Sequence, residues 1–79
     1  MWLKIDDNKL INLDLVKAID KGFNDMIIIR YELDQDVINF RNEWTRDAAF
    51  DDIQKYIKSG PLMTDIKTGN DEKEDLSSI

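Results

Sequence analysis

Residues 26–44 read MIIIRYELDQDVINFRNEW, and the fold turns on how this stretch pairs with itself. Met26 to Leu33 is rich in Ile and contains Tyr31, residue types that favour a pleated, half-buried surface. Val37 to Trp44 alternates. Ile38, Phe40 and Trp44 fall on one side, and Asn39, Arg41 and Glu43 on the other. Between the two runs, Asp34, Gln35 and Asp36 are polar and suit a turn. A β-hairpin is the expectation.

Parity restricts its register. For Ile27, Ile29, Tyr31 and Leu33 to share a face with Ile38, Phe40 and Trp44, odd positions must pair with even ones. The loop then holds an even number of residues, either Asp34-Gln35 or Asp34 through Val37. A three-residue loop would set Phe40 opposite Arg30 and Ile38 opposite Glu32, moving a whole side-chain set to the wrong face. Neither surviving loop has the Gly or Asn of a favoured two-residue turn, so the four-residue version is preferred.

Working outward toward the N-terminus, Trp2 to Ile5 and Lys9 to Asn12 are strand candidates flanking the turn formers Asp6-Asp7-Asn8. Asn12-Leu13-Asp14-Leu15 reads as a bend or a single helical turn, with Leu13 or Leu15 tucked into the core. Residues 16–21 read as a third strand, with a short helix at 13–20 as the competing reading. Gly22 to Asp25 is a turn into the hairpin. Toward the C-terminus, Thr45 is a suitable helix N-cap and Asp47 suits the positive end of the helix dipole. Ala49, Phe50, Ile53, Tyr56 and Ile57 sit at helical spacing on one face. Gly60-Pro61 ends the helix. Residues 61–79 contain the run NDEKED, without an apolar side chain, and are expected to form a flexible acidic tail, from which Leu62, Met63 and Ile66 could still pack as a short extension.

The expected architecture is therefore α+β: one antiparallel sheet of four to five strands, at about 2–5, 9–12, 16–21, 26–33 and 37–44, with one helix at about 46–58 across one face. Residues 1–60 form the domain and 61–79 the tail.

Composition removes several chemistries. The chain has 79 residues with no cysteine and no histidine. Disulfides, thiolate-bound zinc and any Ser-His or Cys-His nucleophile are excluded within it. A cysteine-free chain suits a reducing cytoplasm. The net charge is −6, from 17 acids against 11 bases. That disfavours direct nucleic-acid binding and attraction to anionic membranes. The apolar runs are far shorter than the ~20 residues that span a bilayer, and no signal-peptide layout opens the chain.

No constellation points to catalysis. Asp34-Gln35-Asp36 resembles a fragment of a calcium loop but lacks the Gly and the distant Glu. Asp6-Asp7 reads as a turn pair, and Asp51 and Asp52 diverge on a helix. The glycines at 22, 60 and 69 form no phosphate loop. No cofactor, metal or small-molecule substrate is expected. Four large side chains, Trp2, Phe23, Met26 and Trp44, exceed what one helix can bury in so small a domain. They are the candidate anchors for a protein partner or for self-association.

The order Trp2-Leu3-Lys4-Ile5, then Leu10-Ile11-Asn12-Leu13-Asp14, then an Ile-rich strand, a second strand and a helix resembles a group of short bacterial and phage proteins. It is also similar to FlbD-like flagellar accessory proteins, in which an Asn-containing bend follows the second strand. The resemblance covers residues 2–58 and implies no catalytic residue. The chain differs from the flagellar pattern in having Asp34-Gln35-Asp36 for an Asn-Gly turn, and in its acidic tail.

The expected function is a non-enzymatic protein-binding module, an accessory, adaptor or inhibitor, that uses a sheet face or an edge strand. Two alternatives accompany it: an acidic mimic of nucleic acid, and an enzyme acting through carboxylates alone.

Overall fold

The computed structural model describes residues 1–60 and 63–70. They form strands β1 (Trp2–Ile5), β2 (Lys9–Asn12), β3 (Ala18–Lys21), β4 (Met26–Arg30), β5 (Gln35–Asn39) and β6 (Met63–Ile66), and the helix α1 (Glu43–Ser59). The class is α+β. The strands do not make one sheet; they make two sheets of three, ordered β2-β1-β6 and β3-β4-β5.

The break between sheets is local. The Asn12 side chain accepts a hydrogen bond from the Asp14 N–H at 3.0 Å. The Val16 N–H donates to the Leu13 carbonyl at 3.2 Å. These bonds wind Leu13–Leu15 into one 3₁₀ turn, so the chain leaves the first sheet at Asn12 and enters the second at Ala18. A strand at 18–21 replaces the competing helix. Leu13 packs on the core, while Leu15 stays outside it.

The central hairpin obeys the expected parity at a different position. Ile27 lies opposite Ile38, Ile28 opposite Val37, and Arg30 opposite Gln35. Odd pairs with even, but the four-residue connector is Tyr31 to Asp34, three positions earlier than expected. Polar partners explain the shift. The Arg30 guanidinium donates to the Gln35 side-chain amide oxygen at 3.0 Å, and the Tyr31 hydroxyl donates to Asp36 at 2.6 Å. Gln35 and Asp36 therefore sit in a strand, where the sequence suggested a turn. Leu33, expected on the core face, is 95% exposed in the loop.

The second strand also ends earlier, because the helix begins earlier. Asn42, not Thr45, is the N-cap: its side-chain oxygen accepts from the Thr45 N–H at 2.8 Å and from the Thr45 hydroxyl at 2.9 Å. Satisfying these free donors stabilises a helix start by about 1 kcal/mol. Trp44 thus belongs to α1, not to the strand, and is 87% exposed. Gly60 closes the helix at φ 76°, its N–H bonded to the Tyr56 carbonyl at 2.9 Å. A Cβ is disfavoured in that left-handed conformation.

Beyond residue 60 the chain re-enters the first sheet as β6. Residues 63–66 run parallel to β1, with Trp2 opposite Met63 and Ile5 opposite Ile66. Ile66 and Thr68 are buried. The Asp6 carboxylate accepts from the Thr68 hydroxyl at 2.6 Å and from the Thr68 N–H at 3.0 Å, and the Arg41 N–H donates to the Thr68 carbonyl at 2.8 Å. Burial of Ile66 beside Leu3 and Ile5 outweighs the polar character of its neighbours. The rest of the expected tail, 61–62 and 71–79, lies outside the described residues.

The core lies between the sheets. Leu3, Ile5, Ile11 and Ile66 from one meet Ile27, Ile29 and Ile38 from the other, with Phe40 and with Ala49 and Ile53 of α1. At its N-terminal end, α1 is fastened by Arg46, buried, whose guanidinium donates to the Gly22 and Met26 carbonyls at 3.1 Å each. At the other end, the Tyr56 hydroxyl accepts from the Trp2 N–H at 3.1 Å and donates to the Trp2 carbonyl at 2.6 Å. The helix therefore bridges the two sheets.

Candidate protein-binding surfaces

The four aromatic and Met candidates do not converge. On the first sheet Leu3, Ile5, Ile11 and Ile66 face inward, so strand alternation turns Trp2, Leu10 and Met63 outward. These are 42%, 58% and 52% exposed. On the second sheet the outward set is Met26, Ile28 and Val37, with Ile28 opposite Val37, bordered by the Asp20–Arg30 ion pair at 2.8 Å. Met26 is half-buried there. Phe23 is joined to it by a turn in which the Met26 N–H donates to the Phe23 carbonyl at 3.0 Å. Trp44 is in the first turn of α1, whereas the Tyr56 that holds Trp2 is in the last, roughly 18 Å away along the axis. Trp2 and Trp44 thus lie at opposite ends of α1, and Arg46, two residues beyond Trp44, ties the start of the helix to the turn that carries Phe23 and Met26.

A feature without an aromatic anchor is more site-like. Among the described residues β3 pairs with β4 on one side only. Gly22 donates to the Met26 carbonyl, and alternation from that bonded pair directs the backbone polar groups of Asp20 and Ala18 toward β4 as well. The N–H and C=O groups of Ile19 and Lys21 then point away from the sheet, along an open edge. Beside this edge runs a groove of about 420 Å³, floored by Val16, Ala18 and Ile19 and walled by Phe50, Ile53 and Ile57 of α1. Ile57, expected under the helix, is 47% exposed at its rim.

Electrostatics fix the upper end of this groove. Lys21 reaches Asp47 at 3.1 Å and lies 5.2 Å above the Phe50 ring. Hydrogen bonds from Arg46, then from Lys21, hold the Asp47 carboxyl below the usual aspartate range. A second ion pair crosses between sheets: Lys9 of β2 meets Asp36 of β5 at 2.8 Å. The Lys9 and Tyr31 hydrogen bonds hold Asp36 down, while burial and the bond to Asp36 push the Tyr31 hydroxyl up.

Among the paired carboxylates, Asp6, Asp7 and Asp51 have structural partners. Asp6 accepts from Thr68, while Asp7 meets Lys4 at 3.1 Å. Asp51 meets Lys55 at 3.0 Å on the helix surface. Among the described residues no group of three or more acids is arranged to hold a metal ion, and no helix is long and apolar enough to cross a membrane.

Sequence reasoning missed the groove because Val16 and Ile19 were read as one strand of a single sheet and Phe50 as part of the helix face laid across it. Only the position of β3 at a sheet edge turns them into a lining. No protein-family model matches the chain, and no curated protein or solved structure shows significant similarity to it.

Proposed function

We propose that this chain is a non-enzymatic protein-binding module that takes an extended segment of its partner along the open edge of β3, beside α1. The observation that carries this reading is the junction of an unpaired strand edge with an apolar groove. Backbone hydrogen bonds from Ile19 and Lys21 would supply affinity, and the groove would accept alternate side chains of the added strand. A small accessory protein of this kind agrees with the resemblance of residues 2–58 to FlbD-like accessory proteins, and a cysteine-free chain suits a cytoplasmic setting.

The spread of acids favours this reading over a nucleic-acid mimic. Asp20, Asp36, Asp47, Asp51 and Asp65, spread over β3, β5, α1 and β6, each face a Lys or Arg, whereas a mimic needs carboxylates ranked on one face.

Affinity capture from native lysate at low and high salt tests it, with Lys21→Pro and Ile57→Glu as comparison baits. Pro removes one outward N–H and is tolerated at an edge. A partner held by the parent chain should be weakened but not released by high salt, and be lost from both variants, each still melting cooperatively. Capture that vanishes with salt, yet is equal for all three baits, would instead favour the mimic.

A further inference from the structure

We infer that the partner segment is basic, with Lys or Arg flanking a large apolar side chain; this rests on the edge-binding reading above. The groove beside β3 does not stop at Val16. Val16 and Lys17 also line a second cleft, of about 460 Å³, whose far wall is the β4–β5 loop. A strand laid along β3 and continued past Ala18 would run into it.

Two features give this cleft its chemistry. The first is apolar: Leu15 on one wall is 64% exposed and Leu33 on the other is 95% exposed. Leu33 is held in place. The Tyr31 N–H donates to the Asp34 carbonyl at 2.8 Å and closes the loop at its base. The Tyr31 hydroxyl, bonded to Asp36, fixes the near side. A leucine presented on so constrained a tip loses little conformational freedom when it meets a partner.

The second feature is charge. Asp14, Glu32 and Asp34 surround the two leucines, against Lys17 alone. Asp14 reaches only the terminal amine, at 3.8 Å. Glu32 and Asp34 have no cation within salt-bridge distance among the described residues, in contrast to Asp20, Asp36 and Asp47. Like charges placed opposite them would be penalised, and cations would be drawn in. Complementarity therefore calls for an apolar side chain between the leucines and cationic groups at the rim. An acidic or neutral segment would satisfy the edge of β3 but leave this rim unpaired.

Selection from a random peptide display library on the full chain, at physiological salt, tests the inference. The selected pool should be enriched in Lys and Arg, and in Leu- or Phe-like residues between them, relative to the unselected pool. The same selection on Glu32→Lys with Asp34→Lys should move the bias toward acids. Because both residues are exposed, the variant should fold; the neutral pair Glu32→Gln with Asp34→Asn, which should abolish the bias, serves if it does not. Individual basic peptides should bind the charge-reversed variant about tenfold or more weakly. A basic bias that survives charge reversal would trace to overall net charge and overturn the cleft assignment, as would a pool with no charge bias. Either result leaves edge binding standing if Lys21→Pro still weakens the selected peptides. Peptides indifferent to Lys21→Pro overturn edge binding, and an empty pool overturns both.

Discussion

The two sheets are equal in strand number and opposite in construction. In β3-β4-β5 the strands follow one another along the chain and pair antiparallel through short turns. In β2-β1-β6 a local hairpin is completed by a strand from the far end of the chain, paired in parallel. The first is built from neighbours; the second waits for a partner across 62 residues, the separation of Asp6 and Thr68. Both contribute to one core, so equilibrium stability should treat them alike while kinetics tells them apart.

The largest effects test that distinction. Ile66→Ala and Ile38→Ala each empty a buried site, and each should cost about 2–4 kcal/mol in chemical denaturation. If the comparison holds, Ile38→Ala slows folding and Ile66→Ala mainly speeds unfolding, because the distant pair forms late. Equal slowing of folding by both would erase the distinction, and a loss under about 1 kcal/mol for Ile66→Ala would make β6 dispensable.

Next in size is the latch that closes the first sheet. Asp6→Ala leaves the Thr68 N–H and hydroxyl without their acceptor in a buried place. A loss of about 1–3 kcal/mol is expected, with amide exchange accelerating at 64–68 more than at 26–30. Uniform acceleration over both sheets would show that they open as one unit.

Asn42→Ala should cost about 1 kcal/mol, fraying the first turn of α1 near Arg46 and so loosening the β3–β4 turn more than β6. Helical circular dichroism with amide exchange at Gly22 and Met26 checks it. Thr45→Ala, which removes the residue that sequence alone nominates as the cap, should have the smaller effect.

The smallest effect is a pH dependence. The hydrogen bonds from Lys9 and Tyr31 hold the Asp36 carboxyl below its ordinary 3.8. Its contribution is therefore present above that value and disappears as pH falls through the lowered one. Because Asp36 is 30% exposed, solvent screening limits the pair to a few tenths to about 1 kcal/mol. Asp36→Asn should lower the melting temperature slightly at pH 7 and shrink the drop between pH 5 and pH 2. An unchanged acid profile would mean that the Lys9–Asp36 pair does not couple the sheets.

What could be read from sequence follows the same divide. The turn at Asp6–Asn8, the bend after Asn12, the strand ending at Lys21 and the parity of the central hairpin were all legible, because each is decided by residues close in sequence. The hairpin's absolute register was not. Alternation ran on visibly through Trp44, and only the Tyr31–Asp36 and Arg30–Gln35 bonds and the Asn42 cap cut it short. The strand at Met63–Ile66 was hidden by its polar neighbours, since a parallel partner leaves no turn to mark it. The groove beside β3 was invisible for the same reason: Val16, Ile19 and Phe50 line a gap only once the chain is split into two sheets and β3 becomes an outer strand.

The parallel pairing of β1 with β6 also sets a schedule during synthesis. At roughly 5–20 residues per second, Asp6 is added to the growing chain some three to twelve seconds before Thr68. Through that interval Leu3 and Ile5 have a hairpin mate and no second neighbour. The nascent chain thus offers an unshielded sticky margin to chaperones or to other growing chains. Slowing translation before codon 63 should lengthen that exposure and lower the soluble yield, without altering the finished molecule.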